Sequence, residues 1–233
     1  MKILVISLAG IGDTLIATPL IRELRANFPD ATIDVLAMWA GSKDLLEHNP
    51  HINQVFQKNL LKCGKFEALK FLWLLRREHY DYSINTHPQS RRHYRIAAFI
   101  AGAQTRISHE YERFSWLDQR LVTGTLPQDY TRHAAENNLA VLPLIGGKIK
   151  LTTHGLELFL TTEEEKWADD FLASNNLAEK KWLGIHVGSG GTKNLALRRW
   201  PRSPRSRFWV SVCHWMSCSN RPFSGPELPS PRC

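Results

Sequence analysis

Long apolar runs are absent from this 233-residue chain. Nowhere do eighteen consecutive apolar residues occur, so no membrane-spanning helix is expected. Cysteine is scarce: Cys213, Cys218 and Cys233 crowd the end, and Cys63 stands alone before them. A disulfide framework is thereby excluded for the body of the chain, which fits a reducing, cytoplasmic setting. Cys213, His214 and Cys218 lack a second ligand pair, so no metal site is expected. Met1 leads straight into an apolar pattern with one lysine and no small-residue cleavage site, so no secretory leader is read. The net charge of +8 is unevenly spread: the stretch from Arg198 to Cys233 carries +6 of it, with seven Arg and one Glu. The preceding residues hold only +2, which argues against a nucleic-acid surface.

What is present is concentrated at the start. Ile3 to Leu8 has the length and branching of a buried parallel strand. Gly10-Ile11-Gly12-Asp13 follows and passes at once into a helical pattern. Strand, glycine turn and helix start form the place where α/β sheets put their chemistry, with glycines admitting a ligand close to free backbone N–H groups. A carboxylate there would repel a phosphate, so Asp13 suits a general base better than a dinucleotide loop. As a helix cap it would contribute about 1 kcal/mol, and the two roles are compatible.

Thr18-Pro19 reads as a cap and first position of a helix that presents Leu20, Ile21, Leu24 and Phe28. Thr32 to Met38 is the second strand. A nicotinamide-binding fold wants an acid at its far end, but Asp34 sits in the middle and the end reads Ala37-Met38-Trp39. Gln54 to Gln57 is a short strand, and Leu61 to His79 a long helix, read as a core helix rather than a membrane element. Asp81 to Asn85 is a strand that delivers Thr86-His87-Pro88-Gln89 and then Arg91, Arg92, His93 and Arg95. Those basic groups either hold an anionic acceptor or solvate a helix end. Thr105 to Ser108 is a further strand; His109 to Tyr130 reads as an irregular flap, and His133 to Leu142 as helix. Leu156 to Leu160 reads as a strand, and Thr162 with Glu165 caps a helix that turns Trp167, Phe171 and Leu172 inward. After the strand Leu183 to Val187 comes Gly188-Ser189-Gly190-Gly191-Thr192-Lys193, a phosphate cradle that lacks the Gly-Lys-Ser/Thr ending of a P-loop. The alternation specifies an α/β, Rossmann-like parallel sheet.

The run AGIGDTLIATPLIREL resembles the opening of glycosyltransferase family 9, the lipopolysaccharide heptosyltransferases, with its G-x-G-D and Thr-Pro. His133-x-x-x-Asn137-x-Leu139 is similar to a stretch of the same family, and Arg198-Arg199-Trp200-Pro201 to its basic-x-Trp-Pro element, with Arg198 where a lysine is usual. The resemblance implies the N-terminal half of a GT-B fold, with an incomplete second Rossmann-like domain. It implies an acceptor-side domain over residues 1–176 and the start of a donor domain over 177–201. Residues 202–233, rich in proline, serine, arginine and cysteine, are expected to be a disordered tail outside the family, left by truncation or a frame shift. Asp13 would be the catalytic base. Gly188 to Lys193 and Arg198 would bind the donor diphosphate, and Gly12, His87, Arg91 and Arg92 the acceptor. No cofactor or metal is implied. The partners would be a nucleotide sugar, ADP-heptose by the resemblance, and a lipopolysaccharide core or lipid A acceptor. No nucleic acid is implied, and the setting would be the cytoplasm or the cytoplasmic face of the inner membrane. An inactive acceptor-binding remnant and a different nucleotide-binding Rossmann module remain as alternatives.

Overall fold

A computed structural model describes residues 1–112, 114–151 and 155–175. The strand Leu183 to Val187, the loop Gly188 to Lys193, Arg198 and the expected tail lie outside the described residues. Met1–Glu165 form one compact unit, and a second begins at Lys166.

Six parallel strands form one sheet in the order β3-β2-β1-β4-β5-β6. They are β1 (Lys2–Ser7), β2 (Thr32–Ala37), β3 (Gln54–Gln57), β4 (Tyr82–Asn85), β5 (Thr105–Glu110) and β6 (Gly124–Pro127). Beside β1 lie α1 (Ile11–Ile16) and α2 (Thr18–Asn27), followed by α3 (Ala40–Leu46). The rest are α4 (Lys65–Arg76), α5 (Arg92–Ala101), α6 (Trp116–Leu121), α7 (Ala134–Leu139), a 3-10 turn over Leu142–Ile145, and α8 (Thr162–Ser174). The chain builds outward from β1 to β3, then returns to place β4 on the other side of β1, so the strand order reverses between β1 and β4. A crevice opens at such a reversal, where neighbouring loops leave in opposite directions.

Strand alternation divides the core. Ile3 and Val5 face one side, with Leu20, Ile21 and Leu24 of α2. Leu4 and Ile6 face the other, with Leu72 and Leu75 of α4 and Ala97, Ala98 and Ala101 of α5. Two helices follow the first loop: Ala17 closes α1, and Thr18 and Pro19 occupy the first turn of α2, so the cap is Ala17 rather than Thr18. Asp34 is buried inside the sheet and accepts the Tyr80 hydroxyl at 2.7 Å.

Five expectations are corrected. The long helix begins at Lys65, not Leu61, because the Asn59 side chain accepts the amides of Leu61 and Lys62 and folds that stretch into a turn. It is not a core helix all round: Leu72 and Leu75 are buried, while Phe66, Leu69, Trp73 and Leu74 are exposed. The region expected to be a flap holds the end of β5, α6 and β6. Ser115 and Asp118 form a capping box that starts α6, and β6 pairs with β5. Leu156 to Leu160 forms no strand; its three leucines are exposed, and Glu157 between them is drawn toward α2 by Arg22 and by Thr18 Oγ1, which accepts its amide at 3.0 Å. In α8 no residue is buried, and Trp167 and Phe171 stack on each other at 5.6 Å instead of turning inward.

Candidate functional site

The crevice between β1 and β4 is assembled from two loops. The first leaves β1 after Ser7 and enters α1 at Ile11 with Gly10 as cap. A buried hydroxyl chain holds it: Thr14 Oγ1 lies 3.0 Å from both Ser7 and Ser42, joining β1, α1 and α3. Asp13 is thus not the cap itself. It sits one turn in, and its Oδ2 accepts the Gly10 amide at 2.8 Å. Among the described residues that amide is the hydrogen-bond donor to this carboxylate, which is half-buried, with Oδ1 left over. A Cβ on Gly10 would come within 3.1 Å of Asp13 Oδ2, so glycine there permits the contact. Gly12 is exposed, and a Cβ on it would meet no atom within 4 Å; the chain's own packing does not require glycine at that position.

The second loop follows β4 and is stitched to the first by Gln89. This side chain is fully buried; its Nε2 donates to Ile6 O and to Thr86, and its Oε1 accepts the Leu8 amide at 3.3 Å. Thr86 adds its own amide to Ile6 O at 3.1 Å. The two loops are thereby tied into one piece.

His87 lies in that piece, buried, after β4 and before a cis peptide to Pro88. Its backbone is gripped by Asn138 of α7, whose Oδ1 accepts the His87 amide at 2.7 Å and whose Nδ2 donates to the His87 carbonyl at 3.3 Å. Tyr111 Oη accepts the Gln89 amide at 2.8 Å, which leaves its hydrogen for His87 Nδ1 at 3.3 Å. His109 meets His87 edge-on at 5.5 Å. Its Nε2 is 2.9 Å from the Asn137 carbonyl and so carries the proton, while Nδ1 is buried with no partner among the described residues. Burial pushes His109 down to about 4 and Tyr111 up to about 12. His87 is also lowered by burial, and the Asp13 charge on the other loop pulls it partly back up.

The basic cluster after His87 is largely consumed by structure. Arg92 Nε donates to Asp118 Oδ1 at 3.1 Å and its NH2 to Ser115 at 3.0 Å. Arg95 is buried, 2.9 Å from the same carboxylate and stacked over Phe114. Burial and the flanking Arg91 and Arg95 charges lower His93. Arg91 is exposed at the start of α5. The alternatives for the cluster did not include this clamp onto α6, although the Ser115-x-x-Asp118 spacing was a readable cap. His133 caps α7, its Nδ1 accepting the Ala135 amide at 3.2 Å. His109, Tyr111 and Asn138 were not singled out. His109 and Tyr111 stand two apart at the end of β5, a strand-end spacing that could have found the first two; Asn138 left no signal. Among the described residues no group of three His, Cys, Asp or Glu is placed to hold a metal, and no helix is long and apolar enough to cross a membrane.

No protein-family model matches the chain. It is similar to lipopolysaccharide heptosyltransferase 3 of Escherichia coli K12, 32% identical over 142 residues that make up 58% of this chain and 40% of that protein. In structure it is similar to a glycosyl transferase family 9 protein from Veillonella parvula, with a TM-score of 0.65 and 24% identity over 82% of this chain and 54% of the other. The ADP-heptose lipopolysaccharide heptosyltransferase II of E. coli is also similar, with a TM-score of 0.59 and 22% identity over 82% and 55% of the two chains. The chain thus spans less than half the length of the curated relative, and it shares its Rossmann-like fold with about half of each solved structure.

Proposed function

We propose that this chain, a relative of the lipopolysaccharide heptosyltransferases over less than half their length, carries the acceptor side of an inverting sugar transfer with Asp13 as its base. The observation that supports this is the placement of Asp13. It is half-buried at the strand reversal, held by one oxygen, and faces a loop that Gln89 locks to its own. A general base needs a fixed carboxylate within about 3 Å of the hydroxyl it deprotonates. As the acceptor oxygen bonds to the anomeric carbon, Asp13 takes its proton and the bond to the nucleoside diphosphate breaks. Gly12 leaves room for the sugar beside the backbone, His87 offers a neutral ring, and Arg91 a charge for an anionic acceptor. The leaving diphosphate falls to Gly188, Ser189, Gly190, Gly191, Thr192, Lys193 and Arg198, whose fixed charge would do what a metal does elsewhere. The donor is an ADP-heptose-like nucleotide sugar and the acceptor a lipid-anchored core saccharide, which places the work at a membrane face.

Asp13→Asn tests this with donor and acceptor supplied together. Turnover is expected to fall by about 10²- to 10⁴-fold with acceptor affinity nearly unchanged, because the amide keeps the size but not the basicity. Unchanged turnover would reduce Asp13 to a partner of Gly10. The short span against the relatives supports a second reading, an acceptor-binding remnant. That reading predicts acceptor binding by the wild-type chain with no donor turnover at all.

A further inference from the structure

α4 is built with two apolar sides, and the fold uses one. Leu72 and Leu75 enter the core beside Leu4 and Ile6. On the outer side Phe66, Leu69 and Trp73, spaced as i, i+3 and i+7, form one stripe that is 77%, 51% and 55% exposed. Such a stripe on a helix that already has its core contact marks an interaction surface.

Its charge says what kind. Lys70 and Arg77 follow Phe66 and Trp73 by four residues and so flank the stripe on one side; Lys65 precedes Leu69 by four and flanks the other. Arg77 lies over the Trp73 ring at 5.3 Å. Glu67 is the single acid of the helix. Aromatic and leucine side chains between cations suit a headgroup layer, the rings reaching the acyl boundary and the ammonium and guanidinium groups staying with phosphate. A protein partner would need shape complementarity along a convex helix; a bilayer needs only this sequence of apolar and cationic groups. The helix also points the right way. It starts after β3 at the same sheet edge where β1 ends, so Phe66 and Lys65 stand on the edge that carries Asp13.

We propose that the outer face of α4, centred on Phe66, Leu69 and Trp73 and rimmed by Lys65, Lys70 and Arg77, docks this protein onto an anionic phospholipid surface. This deepens the lipid-anchored acceptor of the preceding reading. It is measured by binding without turnover, so either can fail while the other stands.

The test is co-sedimentation of the full chain with vesicles of phosphatidylcholine alone and of phosphatidylcholine mixed equally with phosphatidylglycerol. The wild type should pellet with the mixed vesicles and stay in solution with the neutral ones. Phe66→Ser with Trp73→Ser should weaken binding by about tenfold or more. Lys65→Glu with Lys70→Glu should do at least as much, since each cation near an anionic surface is worth roughly fivefold in affinity. All four side chains are exposed, so urea midpoints should match wild type and show that the variants fold. Both doubles carry the same basic stretch beyond Arg198, so equal pelleting of variants and wild type would assign the binding there and overturn the proposal. Binding indifferent to lipid charge, or no binding, would overturn it too. So would a wild-type dimer by light scattering that Phe66→Ser with Trp73→Ser dissolves, which would make the face a contact between copies.

Discussion

Asp118 holds two arginines with one carboxylate. It is 0% exposed, accepts from Arg92 and Arg95, and also closes the Ser115 cap. Burial alone would raise its proton affinity, but the bonds from Arg92, Ser115 and Arg95 together outweigh it and hold the carboxyl well below the usual range. Losing the exposed partner and losing the carboxylate itself should differ in cost. Arg92 is 46% exposed, so water can replace it; Arg92→Ala should cost under about 1 kcal/mol. Asp118→Ala would leave the Arg95 guanidinium buried and uncompensated, and should cost about 3–5 kcal/mol in urea unfolding. Equal effects for the two variants would mean that Arg95 finds another acceptor. The sign for acid is that of a depressed carboxylate: its contribution is complete above the unfolded value near 3.8 and is lost only as pH falls toward the lower folded value.

α2 shows what one helix does for a distant stretch of its own unit. Its inner face is apolar, but Glu23 is also buried, and its carboxylate accepts the amides of Lys150 and Leu151 at 3.0 and 2.8 Å. Asn27 exchanges two bonds with Lys148, donating to its carbonyl at 2.8 Å and accepting its amide at 3.1 Å. Thr18 and Arg22 then receive Glu157. The polar edge of α2 is thus a strap for Lys148, Lys150, Leu151 and Glu157, with its holding residues placed about one turn apart along the helix. Glu23→Ala leaves two amides without their charged acceptor, and each such bond is worth about 1.5–3 kcal/mol. The expected outcome is a loss of about 2–4 kcal/mol in urea unfolding, with faster amide exchange at Lys150 and Leu151 and none of the acceleration in β1. Acceleration spread evenly over the unit would show that the strap is not a local device.

At the scale of the whole molecule, four histidines, of which His87 and His109 are buried, contribute to the response to acid. His87, His93 and His51 are lowered chiefly by burial, and His109 is pushed from 6.5 down to about 4. At these histidines the folded chain therefore binds fewer protons than the unfolded chain between these values. Their contribution to stability is complete above about pH 6.5 and declines as pH falls toward 4, the reverse of a histidine that gains a carboxylate partner. His109 alone should account for on the order of 3 kcal/mol across that window. His109→Gln keeps a donor for the Asn137 carbonyl but cannot titrate, so its unfolding midpoint should fall less steeply over this range than that of the wild type. Parallel pH profiles for the two would show that His109 does not carry this dependence.

Periodicity in the sequence was enough for the elements whose partners are close in the chain or apolar throughout. Ile3 to Leu8 reads as a buried strand because both its faces are covered, Thr32 to Met38 and Gln54 to Gln57 read as strands from their local pattern, and Asp13 reads as standing at a helix start because a glycine turn precedes it. The parallel architecture followed from alternation alone. What needed the folded chain was every contact between residues far apart: Gln89 reaching Leu8, Asn138 gripping His87, Asp118 joining α5 to α6. Such pairs leave no local pattern, since a polar side chain looks the same in sequence whether it meets water or a buried amide. Helix α4 shows the same limit in apolar residues. Its composition specified a helix with apolar residues on two sides, and only the sheet, by taking Leu72 and Leu75, decided that Phe66, Leu69 and Trp73 would face outward.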